Sequence, residues 1–210
     1  MQLSNNCLLN CQQPFILLTK TRTGYRVVAM NHKKVIWITG LSGAGKSTLA
    51  AGLSAELKRR GEQVILLDGD TLRQILHNKT YNTDQFTLAY RLELAMSYSR
   101  VCQALANQGF TVVISTISLF KEVYAWNKKN LPNYFQVYLD VPLSEREKRD
   151  PKGIYKRYRE GKIINIVGLD QPFDEPVDPD WRPVFNSNIT NDFLVKNLIG
   201  VLLERDYLKV

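Results

Sequence analysis

The sequence is poor in the residues from which metal cages and disulfide scaffolds are built. It has two histidines and three cysteines in 210 residues, and Cys7, Cys11 and Cys102 fall at no zinc-like spacing. So sparse and odd a set of thiols excludes a disulfide framework and fits a reducing cytoplasm. Long apolar runs are also missing, since none approaches the roughly 20 residues that a membrane helix needs. Acidic residues number 20 against 28 lysines and arginines, for a formal net charge of +8. That excess points to an anionic partner without naming it, because a multiply charged nucleotide and an RNA suit it alike. There is no internal repeat and no sign of a second domain.

One segment differs from the rest. Residues 1–29 contain no acidic side chain and hold two of the three cysteines. Their apolar stretch, "PFILL", is too short for a signal-peptide core and no small-residue cleavage site follows it. Met30 then opens "MNHKKVIWITG", which reads like a natural start. The expectation is an extension over 1–29 without helical or strand period, disordered or not made in the cell, and a single domain over 30–210.

From Lys34 onward apolar strand-like runs alternate with helical ones. Strands are predicted at 35–39, 63–70, 110–116 and 134–142, with a short last one at 182–186. Helices are predicted at 46–61, 88–109, 143–150 and 190–207. This alternation predicts an α/β fold, a mostly parallel sheet covered by helices on both faces. In such sheets ligands gather at the carboxyl ends of the strands. The polar clusters of the sequence fall at those ends.

The first cluster is "GLSGAGKST" (40–48). Gly40, Gly45, Lys46 and Ser47 fill the pattern G-x-x-x-x-G-K-[ST] of a P-loop NTPase fold. Bare backbone at Gly40, Ser42, Gly43, Ala44 and Gly45 lets amides turn toward phosphate oxygens, and the helix that begins near Lys46 adds its positive end. Lys46 reaches the β- and γ-phosphates of ATP. Ser47 is placed to ligate Mg²⁺, and Thr48 follows it. The second cluster, "LLDGD" (66–70), ends a strand with Asp68 and Asp70. One of these carboxylates can enter the Mg²⁺ shell while the other takes a proton from an attacking hydroxyl. A GTP switch is excluded by the lack of a guanine-reading N-K-x-D, since "NKTY" (78–81) fails at its fourth position. What is left is a small kinase acting on a nucleotide or another metabolite.

With "LDGDTLR" (67–73), "GFTVVISTISLF" (109–120), "RDPKGIYKR" (149–157) and "GLDQPFDEP" (168–176), residues 34–187 resemble the adenylylsulfate (APS) kinase family. The resemblance implies transfer of the γ-phosphoryl of ATP to the 3′-hydroxyl of APS in sulfate assimilation, with Mg²⁺, in a cytoplasmic enzyme that commonly pairs as a homodimer. It implies a small-molecule nucleotide as partner, and no nucleic acid or membrane. Carried over by position, Asp70 is the catalytic base, and Asp68 lies beside the metal and the substrate. Arg73 and Arg91 grip the anionic 5′ group. Phe86 stacks on the substrate base, and Ile117 and Ile166 contact substrate. Ser118 matches a serine sometimes given a phospho-intermediate. Arg149 and Lys152 open a mobile lid over the transferring phosphate.

Three positions depart from the family pattern. Leu94 stands where an asparagine is usual, Ile166 where a phenylalanine sandwiches adenine, and Leu119 where a proline is usual. These departures resemble a side branch of surface-polysaccharide pathways that includes kinases of cytidine diphosphoramidate. That nucleotide is the second acceptor expected, and a nucleotide-binding module without turnover is the third reading.

Overall fold

The computed structural model describes residues 16–21, 24–29, 34–76 and 87–208. The first two ranges are strands β1 (Ile16–Thr21) and β2 (Gly24–Ala29), paired antiparallel from Ile16 opposite Ala29 to Thr21 opposite Gly24. The segment read as having no strand period thus contains a hairpin. The rest of the proposed extension, residues 1–15 and 22–23, lies outside the described residues, as does Phe86.

Four strands form the main sheet: β3 (Val35–Thr39), β4 (Val64–Asp68), β5 (Thr111–Ser115) and β6 (Tyr134–Tyr138). All pair in parallel, in the order β4-β5-β3-β6. Alternate residues of β3 serve opposite faces, as the period of two requires. Ile36 and Ile38 meet Leu49, Leu53 and Leu57 of α1 (Lys46–Arg59) and Leu198 and Leu202 of α7 (Asn191–Glu204). Val35 and Trp37 meet Leu94, Tyr98 and Cys102 of α3 (Leu88–Asn107) and Val123 of α4 (Lys121–Asn130). Each fully buried leucine or isoleucine contributes about 1.5–3 kcal/mol, so these two layers fix the strand ends firmly. Among the described residues no helix is long and apolar enough to cross a membrane.

Local chemistry sets where elements start. Thr87 and Thr190 cap α3 and α7 by accepting the amides of Tyr90 and Phe193. Asp68 does the same after β4: its Oδ1 accepts the amide of Asp70 at 3.0 Å. The predicted strand at 63–70 therefore stops at Asp68, and Asp70 lies in the first turn of α2 (Gly69–Leu76) rather than at a strand end. The predicted strand at 182–186 does not form. Pro183 has no amide to give to a ladder, and Arg182 is drawn away by Asp140 and Glu175. The sheet gains only a single bridge there, Val137 to Trp181. Beyond β6, α5 (Leu143–Arg149) and α6 (Ile154–Arg159) form the segment expected as a lid.

Candidate active site

The carboxyl ends of β3, β4 and β5 open into one cleft of about 1250 Å³, which residues of α5, α6 and the loop 163–167 also line. Ser42, Gly43, Ala44, Gly45, Lys46, Ser47 and Thr48 line one part of it. Asp68, Asp70, Arg73, Arg91, Ile117, Ser118, Arg149, Lys152 and Ile166 line the remainder. Of the residues expected in the site from sequence, Gly40 stands back from the cleft, against the Leu139 carbonyl, and Phe86 is outside the described residues.

The phosphate loop leaves β3 and enters α1 at Gly45. At Gly43 the backbone has φ +76°, and an added Cβ would lie 2.9 Å from the Arg146 carbonyl oxygen, so no side chain fits. Lys46 Nζ donates to the Leu41 carbonyl oxygen at 2.9 Å. Burial, and after it the nearby Lys152, lower the Lys46 ammonium to about 8. A cation so poorly solvated has a strong incentive to take a phosphate partner.

Beside it lies a group of oxygens. Asp68 Oδ2 accepts the hydroxyls of Ser47 and Ser115, each at 2.8 Å. Burial raises the pKa of this carboxyl, but the hydrogen bonds from Ser115, Ser47 and the amides of Asp70 and Thr71 outweigh it, and the net shift is downward. Asp68 is therefore ionised at neutral pH. Hydroxyl and carboxylate oxygens are hard donors, and so few of them leave most of a coordination shell to water and phosphate, which is how Mg²⁺ prefers to bind. Ser47 and Asp68 thus fit the ion. Ser115 is a neighbour that the sequence reading passed over, although it ends a predicted strand.

Asp70 is ion-paired with Arg73, one turn along α2, and with Lys152 from the lid. Arg91 reaches across the cleft and donates Nη2 to the Asn165 carbonyl oxygen at 2.7 Å. Burial, and then the charge of Arg73, lower the Arg91 guanidinium. Two guanidinium groups close enough to oppose each other's charge create a place for an anion. The Tyr98 hydroxyl donates to the Gly69 carbonyl oxygen at 2.9 Å beneath them. Between Arg91 and the lid the wall is aliphatic, from Leu94, Ile117, Ile163 and Ile166. The Asp170 carboxylate holds that wall by accepting the amides of Asn165 and Ile166 at 2.8 and 2.5 Å. Ser118, with φ +26°, shares a 2.8 Å hydrogen bond with Thr116.

The opposite end of the cleft was not legible as a site. Pro183, Phe185, Asn186 and Ile189 line it next to Thr48, and the Arg149 guanidinium lies 5.6 Å from the Phe185 ring centroid. A flat cation over an aromatic ring suits a planar heterocycle. The sequence reading assigned Phe185 to a short strand at 182–186, and the signal against that was Pro183 within the run.

A model of the adenylylsulphate kinase family matches residues 32–182. A cytidine diphosphoramidate kinase of Campylobacter jejuni is 38% identical over 146 residues, 70% of this chain and 83% of that one. An adenylyl-sulfate kinase of Deinococcus deserti is 43% identical over 147 residues, 70% and 79% of the two chains. The structure of the Mycobacterium tuberculosis APS kinase in complex with AMPPNP and APS superposes with a TM-score of 0.73 at 34% identity, covering 81% of this chain and 98% of that one.

Proposed function

Because the chain belongs to the adenylylsulphate kinase family of ATP-dependent kinases, we propose that it phosphorylates the 3′-hydroxyl of a nucleotide with an anionic 5′ group. The observation that carries this reading is the single cleft shared by the phosphate loop, the two aspartates and the two arginines. In the reaction the acceptor O3′ forms a bond to the γ-phosphorus, the bond to the β,γ-bridging oxygen breaks, and the hydroxyl proton passes to Asp70. Loop amides and Lys46 hold the β- and γ-phosphates in line. Arg149 and Phe185 hold the base of ATP. Asp70 exchanges Lys152 for the acceptor hydroxyl, and Lys152 turns to the transferring phosphoryl as the lid excludes water. Ser47 and Asp68 would hold Mg²⁺, which when bound neutralises phosphate charge. Ser118, which shares a hydrogen bond with Thr116, is given no covalent role in this scheme, because direct transfer to the acceptor needs no intermediate.

Arg73 and Arg91 grip the 5′ group. Arg73→Ala is expected to raise the acceptor KM about tenfold or more while changing the ATP KM little, as loss of a charge-assisted hydrogen bond predicts. Equal changes in both constants, measured by initial rates, would take Arg73 out of the acceptor half.

Two acceptors remain in view. The motif match supports adenylylsulfate. The cleft wall supports cytidine diphosphoramidate, since Leu94 offers no hydrogen bond to a phosphosulfate and Ile166 no stacking face to adenine, and a relative bears that substrate's name. The wall carries more weight because it lies in the acceptor half. A panel of 5′-modified nucleotides with Mg-ATP, read for 3′-phosphorylated product, tests both. Turnover of none of them, with ATP still bound, would favour a module without catalysis. The double variant Leu94→Asn, Ile166→Phe is expected to raise kcat/KM for adenylylsulfate by about tenfold, since stacking is worth about 1–3 kcal/mol per base. No gain would mean that these positions do not govern acceptor choice.

A further inference from the structure

Two buried side chains with no role in the reaction above hold the back of the phosphate loop. Arg146, in α5, is 6% exposed. Its Nε donates to the Val141 carbonyl oxygen at 2.9 Å and its Nη1 to the Tyr155 hydroxyl at 2.5 Å. Tyr155, in the first turn of α6, is 2% exposed. Its hydroxyl in turn donates to the Ser42 carbonyl oxygen at 2.8 Å. The start of α6 is fixed as well, because the Asp150 carboxylate accepts the amides of Tyr155 and Lys156 at 3.2 and 3.0 Å. A continuous chain of hydrogen bonds thus runs from the lid segment to the middle of the loop.

In a trans peptide the carbonyl and the following amide point in opposite directions. Ser42 and Gly43 line the cleft, whereas Tyr155 lies behind it. Tying the Ser42 carbonyl to Tyr155 therefore turns the Gly43 amide toward the cleft. Gly43 itself is pressed against the backbone of Arg146, so the same two residues limit both the tilt and the retreat of that peptide. We propose that Tyr155, backed by Arg146, is a positioning residue for the donor nucleotide: it sets the Ser42–Gly43 peptide plane so that the Gly43 amide meets the phosphates, and it couples that plane to the first lid helix. The proposal rests on the reading of the loop as a triphosphate site. It adds a residue that touches no substrate.

Tyr155→Phe keeps the ring and removes the hydroxyl. The Ser42 carbonyl loses its donor and Arg146 Nη1 its acceptor, and the peptide plane is released. Calorimetry with Mg-ADP and AMPPNP is expected to show a Kd raised about five- to twentyfold, the scale of one buried hydrogen bond and the partners it strands. The ATP KM should follow, and the acceptor KM should stay within about twofold, since the acceptor half contains no part of this chain. The backbone amide resonance of Gly43 should shift in the protein without nucleotide. Arg146→Met, which removes the guanidinium but spares the hydroxyl, should show the same nucleotide-selective loss to a smaller degree, and it serves should Tyr155→Phe not fold. Unchanged nucleotide Kd in the folded variants would overturn the proposal, as would equal weakening of donor and acceptor, which marks a general loosening. Wild-type protein that bound neither ADP nor AMPPNP would instead remove the triphosphate reading beneath it.

Discussion

An Asp70→Asn enzyme is expected to turn over about 100- to 10,000-fold more slowly than wild type, the usual contribution of a general base, while binding ADP with nearly unchanged affinity. The substitution keeps shape and leaves the cap on α2 intact, because that cap comes from the Asp68 carboxylate and the Asp70 amide. What it removes is the proposed proton acceptor and the charge that holds Arg73 and Lys152. On the proposed reading nucleotide binding rests on the loop and Lys46, so single-turnover rates should collapse while the ADP Kd stays. Near-normal turnover would show that Asp70 is not the base.

Loss of Lys46 is expected to cost about three orders of magnitude in kcat/KM for ATP, as removal of an electrostatic stabiliser in a water-poor site does. Its titration gives a second test. Because burial and then Lys152 hold the ammonium at about 8 rather than the ordinary 10.5, the charge that would grip phosphate is present below that pH and lost above it. In wild type kcat/KM for ATP should fall on the basic side with an apparent pKa near 8. The fall in kcat should come later, since bound phosphates favour the charged form. Lys46→Arg should lack the limb, and Lys152→Gln should move it upward by removing the second cause of the shift. A limb that persists unmoved in Lys46→Arg would assign it to another group.

The sheet was legible because each strand is a short apolar run, and because α1, α3 and α7 are long and rich in buried apolar residues. Helix α4 was missed because it is short and mostly polar, with only Val123 and Asn127 of its ten residues buried. Helix α6 escaped for the same reason, as it buries only Tyr155. The run at 182–186 misled in the opposite direction: Val184 looks like a strand residue yet is 88% exposed. Within the site, the loop motif and the two aspartates were readable from spacing. Ser115, Phe185, Arg146 and Tyr155 were not, since their partners lie 47, 36, 9 and 113 positions away respectively. Only the folded chain brings such pairs together.

Between the two aspartates sits Gly69, where a Cβ would meet Thr116 Oγ1 at 2.9 Å and Thr116 Cβ at 3.1 Å. The interval separating the carboxylate proposed for the metal from the one proposed for the proton is consequently a ruler of fixed length: a side chain at its midpoint would have to displace Thr116 or shift the turn into α2. At positions 94 and 166 the cleft wall is set by side chains alone, so a substitution there changes the wall and leaves the spacing of the two acids unaltered.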